Sequence, residues 1–228
     1  FVGTFLQTLL FVTAALLFEF LLGFGFALLL KQRFIGNKIL RGVLLLPWMM
    51  PPVVTAFVWS WILNGSYGIL NYFLLKLGIV SHGIEWLSTP YLSLVVIIFV
   101  DIWISTPFVT LVLYAGMQGI PDQLYEAAVI DGAGPFRKLI SITMPMLKSA
   151  ANVALLMRSM MALRTFDIDW IMTRGGPAGT SEILGTFGFK KGMVGFNIGM
   201  GSAVTNLIFI ISLILSIRFI HVVLKREK

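Results

Sequence analysis

Residues 5–30 read FLQTLLFVTAALLFEFLLGFGFALLL, a run in which Glu19 is the only charged side chain. A helix needs about 20 apolar residues to cross the hydrocarbon core of a bilayer. Four further runs are long enough: Ile39 to Leu63, Tyr91 to Tyr114, Met146 to Thr173 and Ile198 to Leu224. These runs are too long for barrel strands, and lipid cannot satisfy exposed backbone amides. We therefore predict an all-α, polytopic transmembrane bundle of about five spanning helices, with residues 1–228 forming one domain.

The composition agrees with a membrane protein. Of the 228 residues, 58% are hydrophobic and 12% are charged, whereas soluble domains are about a quarter charged. The mean hydropathy is +0.94. The absence of cysteine excludes a disulfide framework and a thiolate metal site. Because Phe1 is not an initiator methionine, we expect the natural amino terminus to lie further upstream, with room for another helix.

The net charge of +7 is interpreted as a sign of topology rather than of nucleic-acid binding, because lysine and arginine concentrate in cytoplasmic connections. One set of connections carries eleven: Lys31, Arg33, Lys38, Arg41, Arg137, Lys138, Lys148, Arg218, Lys225, Arg226 and Lys228. The alternate set carries four: Lys76, Arg174, Lys190 and Lys191. The first connection, residues 115–145 and the carboxyl end are therefore predicted to face the cytoplasm. The loops at 64–90 and 174–197 are predicted to face outward.

Three prolines interrupt the second run, at Pro47, Pro51 and Pro52. Each removes a backbone donor and disfavours a helical conformation in the preceding residue, so we predict a kinked or broken helix. In transporters such interruptions tend to border a cavity. A kink that serves only packing is the alternative.

The segment 119–145, GIPDQLYEAAVIDGAGPFRKLISITMP, predicts a helix–turn–helix. Proline suits a first helical position, so Pro121 and Pro135 are expected to begin the two helices. Gly132 permits the sharp turn between them, and Pro145 is expected to end the second. Small side chains at the bend would let another protein approach the backbone closely. From the residues alone, both a docking protrusion and an amphipathic loop on the membrane surface remain open.

Within this segment, EAAVIDGA at 126–133, with Pro145 thirteen residues after Gly132, resembles the EAA signature of binding-protein-dependent ABC importer permeases. The later Phe166-Asp167 and Thr173-Arg174-Gly175-Gly176-Pro177 are similar to the sugar-transporting, maltose-permease-like branch. Leu139, Met144 and Ser149 depart mildly from the family pattern, which affects the expected end of the second short helix. The resemblance extends over nearly the whole chain.

The resemblance implies a cytoplasmic coupling loop that docks on an ATP-hydrolysing subunit. The contact residues implied are Glu126, Ala127, Ala128, Asp131, Gly132 and Ala133. It also implies a multi-pass protein of the bacterial inner membrane that completes a pathway with a second, homologous permease. Two ATP-binding-cassette subunits would bind ATP and Mg, and a solute-binding protein would deliver a carbohydrate. No cofactor is then expected on this chain itself.

Charged side chains inside the bilayer cost about 2.5 to 3.5 kcal/mol each on insertion scales, so each needs a partner, a cavity or a function. Four are expected at that depth: Glu19, Asp101, Arg158 and Arg164. Asp101 and Arg158 lie about equally deep, which allows an ion pair between adjacent helices. Alternatively they line the solute pathway, with further candidates Ser159, Ala162 and Thr165. Because a guanidinium suits a carboxylate, this second interpretation suggests an acidic saccharide.

Other classes of function receive less support. The chain has no Ser-His-Asp set and no phosphate-binding loop, which argues against an enzyme. An ion-coupled secondary transporter is the main rival, because midplane charges suit it equally well. An importer of amino acids or phosphate is the alternative within the ABC class.

Overall fold

The computed structural model describes residues 1–32 and 34–224, the last five by their backbone alone. In chain order the helices are α1 (Val2–Lys31), α2 (Asn37–Met49), α3 (Pro52–Ile62), α4 (Ile69–Lys76), α5 (Leu92–Gln118), α6 (Asp122–Ile130), α7 (Pro135–Lys138), α8 (Met144–Leu163), α9 (Asp167–Met172), α10 (Leu184–Phe189) and α11 (Ile198–Leu224). In this part of the chain, α1, α5, α11 and the continuous stretch from α7 to α8 are long and apolar enough to cross a membrane. The bent pair of α2 and α3 is the fifth candidate. The predicted all-α bundle of about five spans is confirmed.

The core of the bundle is α5, which packs along α1 and against α8. Phe11, Ile97 and Leu113 are fully buried in this core. A Cβ atom added at Gly116 would lie 2.5 Å from the Cβ of Ala150. Helices α5 and α8 therefore approach to a distance that only small residues permit, as is usual in membranes.

The three prolines of the second run produce the predicted break. The axis turns by 97° between α2 and α3. Helix α2 continues through Pro47, whereas Met50 is extended, with φ −79° and ψ 135°, because it precedes Pro51. Pro52 then occupies the first position of α3, where a missing N–H costs nothing.

The fourth run is not one helix as predicted. Helix α8 ends at Leu163, Phe166 adopts a non-helical conformation with φ −142°, and a separate short helix, α9, follows. Arg164 therefore caps the end of α8 instead of lying inside a span, and its side chain is exposed. The single continuous helix predicted from the fourth run is wrong, because hydropathy alone does not detect a turn between two apolar helices.

The expected helix end at Pro145 is also wrong. Residues Leu139–Thr143 form a π-helical turn, in which the Met144 N–H donates to the Leu139 carbonyl. This turn joins α7 to α8 without a break, so the helix runs through Pro145 into the membrane. A proline ring would clash with the carbonyl four residues before it in a regular α-helix, and the wider turn changes that local geometry.

Two contacts place three of the connections at opposite ends of the bundle, and the grouping agrees with the charge distribution. At one end, the Lys31 Nζ lies 3.8 Å from the centre of the Tyr125 ring, so the first connection meets the 119–145 segment. At the other end, the Leu184 N–H donates to the Thr8 Oγ1 at 2.9 Å, which joins the 174–197 loop to the start of α1. Four residues of the predicted cytoplasmic set lie outside the described residues, namely Arg33, Lys225, Arg226 and Lys228.

Candidate functional site

The 119–145 segment forms a short helix that ends in a tight left-handed turn. Gly132 has φ +72°, a conformation that glycine adopts without strain. The Ala133 N–H donates to the Ala128 carbonyl at 2.8 Å, and the Gly132 N–H donates to the Val129 carbonyl at 3.0 Å. These two bonds satisfy carbonyl groups at the end of α6 in the manner of a Schellman motif.

The tip of this segment is not covered by the rest of the described chain. Ile130 and Phe136 are 86% and 73% exposed, and a Cβ atom at Gly132 would meet nothing within 4 Å. Of the predicted contact residues, Glu126, Ala127, Asp131 and Gly132 are exposed, whereas Ala128 and Ala133 are partly buried. Apolar side chains this exposed at a protruding turn are typical of a surface that another protein covers.

Tyr125 attaches the base of the protrusion to the bundle. Its hydroxyl oxygen lies 3.0 Å from the Thr143 Oγ1 in the π-helical turn. Its ring also lies 3.8 Å from the Lys31 ammonium at the end of α1. Tyr125 therefore connects α6 both to α1 and, through the π-helical turn, to α8.

Deeper in the bundle, Arg158 of α8 lies between two carboxylates. Its Nη2 donates to the Glu19 Oε1 of α1 at 2.8 Å and to the Asp101 Oδ2 of α5. Its Nε lies 2.7 Å from the Glu19 Oε2. All three side chains are buried, Arg158 being 2% exposed. Asp101 and Arg158 meet, and Glu19, for which the sequence shows no partner, completes a three-residue cluster.

A cavity of about 440 Å³ borders this cluster at the break between α2 and α3. Its lining is Trp48, Met50, Pro52, Asp101, Ile104, Ser105, Phe108, Arg158, Met161, Arg164, Thr165, Asp167 and Ile168. The Trp48 and Phe108 rings face each other with centroids 6.0 Å apart. Aromatic walls with a few polar groups are typical of small-molecule sites.

The predicted pathway residues divide into two groups. Asp101, Arg158 and Thr165 border the cavity. Ser159 instead donates a hydrogen bond to the Leu156 carbonyl at 2.8 Å, and Ala162 is buried in the core cluster of the bundle. Ser159 is next to Arg158 in sequence and therefore faces a different direction. Ala162, four positions from Arg158, lies on the same side of α8 but is covered by the core.

The sequence reasoning missed several cavity residues, above all Trp48, Ser105 and Phe108. The proline break was the signal that pointed to them, because it predicts irregular backbone beside a cavity. A second open cavity, of about 900 Å³, lies between α8, α10 and α11 and is lined in part by Arg164, Thr205 and Asn206. In the sequence, Asn206 is an amide within an apolar run, and this feature could have indicated the second cavity.

The 174–197 loop is held by Asp169, which is fully buried. Its carboxylate accepts hydrogen bonds from the Gly175 N–H at 3.2 Å and from the Thr173 Oγ1 at 2.8 Å. Ser181 Oγ donates to the same carboxylate at 3.4 Å. The Thr173–Pro177 stretch, which is similar to the sugar-transporting branch, therefore folds around the buried Asp169 carboxylate.

Residues 3–228 match the family model described as binding-protein-dependent transport system inner membrane component. The chain belongs to this family, and the resemblance predicted from residues 126–133 is confirmed. It is thus a multi-pass membrane permease.

Two relatives illustrate the family. The trehalose/maltose transport system permease protein MalF of Thermococcus litoralis is 40% identical over 204 residues, covering 90% of this chain and 68% of that protein. The sulfoquinovosyl glycerol transport system permease protein SmoG of Agrobacterium fabrum is 34% identical over 225 residues, covering 99% of this chain and 71% of that protein.

The fold is also found in a solved transporter. One chain in the crystal structure of a bacterial ABC transporter involved in the import of the acidic polysaccharide alginate matches with a TM-score of 0.90. The match covers 100% of this chain and 80% of that chain, at 23% sequence identity. The likeness establishes a shared arrangement of helices.

Proposed function

We propose that this chain is the permease subunit of an ATP-binding-cassette importer and forms half of the pathway for a carbohydrate. The observation that carries the proposal is the protruding turn at Gly132, whose apolar tip is uncovered, in a chain of the binding-protein-dependent family. The names of relatives that transport trehalose, maltose and sulfoquinovosyl glycerol support the carbohydrate class. The cavity at the α2–α3 break is the proposed contribution of this chain to the solute path.

Docking of the protrusion on an ATPase subunit explains its surface. Glu126 and Asp131 offer hydrogen-bond acceptors beside the bare backbone at Gly132, while Ala127 and Ala128 keep the approach free of bulk. The partner would bind ATP and Mg, so the hydrolysis step takes place outside this chain. Its closure would displace α6 and, through Tyr125 and the π-helical turn, the spans α1 and α8.

The remaining partners follow from the same scheme. A second, homologous permease would close the other side of the pathway, and a second ATPase subunit would dock on it. A solute-binding protein would deliver the carbohydrate to the outward loops at 64–90 and 174–197. Alternating access then requires the helices to rearrange around the central cavity.

Recognition of a sugar in the cavity has a physical basis. The Trp48 and Phe108 rings offer flat apolar surfaces, and Ser105, Thr165 and Asp167 add hydroxyl and carboxylate groups on the same lining. A neutral saccharide presents both C–H faces and hydroxyl edges, which suits this combination.

An acidic saccharide is the second candidate, and Arg164 supports it better than Arg158. Arg158 is already shared by two carboxylates. Arg164 is exposed, lines both cavities and, within the described residues, donates only to the Met160 carbonyl at 3.3 Å. Transport of a uronate-containing saccharide should therefore fall more than that of a neutral one in Arg164→Gln, while Arg158→Ala impairs both equally. Equal loss for both saccharides in Arg164→Gln would remove this candidate.

The test of the main proposal is co-purification followed by an ATPase assay. The affinity-tagged chain should bring with it a second permease and ATPase subunits. Hydrolysis by the reconstituted complex should rise when the solute-binding protein is added with one member of a panel of neutral and acidic saccharides. A complex without an ATPase would contradict the assignment to ATP-driven importers. Stimulation by amino acids or phosphate alone would show that the solute is not a carbohydrate.

A further inference from the structure

A third cavity, of about 900 Å³, lies at the cytoplasmic end of α1, around the turn into α2. Its lining is Leu30, Lys31, Gln32, Phe34, Ile35, Gly36, Asn37, Lys38, Ile39, Arg41, Tyr114 and Gln118. Three of these residues are cations, and no acidic residue is among them in the part of the chain that the structure describes. The cavity is separate from the solute cavity and has no role in the proposed transport path.

The geometry of this cavity is fixed by hydrogen bonds. The Asn37 Nδ2 donates to the Leu30 carbonyl at 2.9 Å and to the Gln32 carbonyl at 2.7 Å, which holds the turn between the two helices. The Arg41 guanidinium donates to the Tyr114 hydroxyl and lies 4.6 Å from the centre of its ring. These contacts fix the turn and hold Arg41 against Tyr114, and Lys31 lines the same cavity.

The two cations lack a counter-charge. The Lys31 Nζ and the Arg41 Nε are buried atoms without a hydrogen-bond acceptor, and neither side chain forms a salt bridge with a described carboxylate. The rings of Tyr125 and Tyr114 stabilise these cations in part, but a buried cation without an opposite charge is still costly. The arrangement therefore favours an anion that comes from outside the chain.

The surroundings of the cavity indicate where that anion originates. Ile35 is fully exposed, and Ile39 and Phe34 are 74% and 40% exposed, so apolar side chains sit directly beside the cations. An apolar rim next to a basic pocket between helices, on the cytoplasmic side, suits a lipid with acyl chains and an anionic headgroup. A free phosphate would gain nothing from the apolar rim.

We propose that this pocket binds the phosphate headgroup of an anionic phospholipid of the cytoplasmic leaflet through Lys31, Lys38 and Arg41. The site also bears on coupling, because Lys31 contacts Tyr125 at the base of the protrusion. A bound headgroup holds Lys31 at the end of α1 and thereby supports the position of α6. Binding is independent of the proposed importer function, whereas the effect on ATP hydrolysis depends on it.

The binding test uses the purified complex with its partner subunits and counts phosphatidylglycerol retained per complex by native mass spectrometry. Each cation near an anionic surface contributes about fivefold in affinity, so Lys31→Gln/Arg41→Gln should retain phosphatidylglycerol about 25-fold more weakly. Lys31→Arg keeps the charge and should bind as the wild type does. Lys148→Gln removes a cation from the same side of the bundle, outside the pocket, and should change retention less than about twofold.

Three results would overturn the proposal. Equal retention of phosphatidylcholine and phosphatidylglycerol would mean that headgroup charge is not recognised. Displacement of the lipid by inorganic phosphate at equal concentration would identify free phosphate as the ligand. Lipid retained by the permease but lost when the ATPase subunits assemble would show that a protein surface occupies the pocket.

A second measurement tests the effect on coupling. In vesicles of phosphatidylcholine, addition of phosphatidylglycerol should raise solute-stimulated ATP hydrolysis of the wild type but not of Lys31→Gln/Arg41→Gln. An unchanged lipid response in that variant would overturn the link to coupling. If binding follows the prediction while no saccharide stimulates hydrolysis in any lipid, the failure belongs to the proposed function and the lipid site stands.

Discussion

At the scale of single residues, the buried cluster of Glu19, Asp101 and Arg158 is the least ordinary feature of the bundle. Two carboxylates and one guanidinium leave one net negative charge when all are ionised. Buried ion clusters contribute little stability compared with apolar residues of the same shape, but loss of one partner costs about 3–5 kcal/mol. The cluster therefore joins α1, α5 and α8 in one register and penalises other registers.

We expect Arg158→Leu to lower the stability of the purified protein by about 3–5 kcal/mol, because it leaves two buried carboxylates without a counter-charge. The triple variant Glu19→Gln/Asp101→Asn/Arg158→Leu should recover most of that loss. Thermal unfolding in detergent measures both. Arg164→Leu is the control, since that guanidinium is exposed at a helix end, and it should change the midpoint little. A triple variant no more stable than Arg158→Leu would contradict this account.

At the scale of elements, the turn after α6 depends on the backbone of one glycine. Gly132 has φ +72°, whereas Gly134, two residues later, has φ −68°. Neither would bring a Cβ atom within 4 Å of another group. The two positions therefore differ in backbone conformation and not in available space.

This difference gives a matched pair of substitutions. Gly132→Ala forces a Cβ into a left-handed conformation at about 1–2 kcal/mol, which should reduce the docked population and solute-stimulated ATP hydrolysis by about tenfold. Gly134→Ala should stay within about twofold, because the conformation suits any residue. The measurement is the ATPase rate of the reconstituted complex at equal permease content. Equal effects of the two changes would show that the shape of this turn is not what the partner recognises.

At the scale of the whole molecule, three connections are placed at the two ends of the bundle by direct contacts. The contacts of Lys31 with Tyr125 and of Leu184 with Thr8 place them there without reference to charge. The same division follows from the excess of lysine and arginine in alternate connections. Two independent arguments therefore assign these connections to the same two ends of the bundle.

Labelling can test which end faces the cytoplasm, because the sequence contains no cysteine. Ser66→Cys, in the 64–90 loop, should react with a membrane-impermeant thiol reagent in intact cells. Gln123→Cys, on the exposed surface of α6, should react only in inside-out vesicles or after permeabilisation. The opposite pattern would invert the topology and remove the basis for ATPase docking. The unsubstituted chain is the blank for both reactions.

Local sequence patterns determined several features of this protein. Apolar runs longer than a bilayer is thick specify spanning helices, because lipid leaves no other way to satisfy the backbone. The break before Pro51 and the turn at Gly132 follow from restrictions on φ and ψ that act within one or two residues. The family motif at 126–133 has the same local character and needs no knowledge of the packing.

Tertiary structure alone decided how the helices are rotated and joined. Glu19 lies 139 residues from Arg158 and Asp101 lies 57 residues from it, and nothing in a uniformly apolar helix indicates which side will face a neighbour. The same holds for Ser159 and Ala162, which share α8 with Arg158 but not the cavity. The π-helical turn that carries α8 through Pro145 and the turn that ends it at Leu163 were equally invisible, because hydropathy records solvent preference and not backbone direction. Helix rotation is set by packing between side chains distant in sequence, and so it appears only once the bundle is assembled.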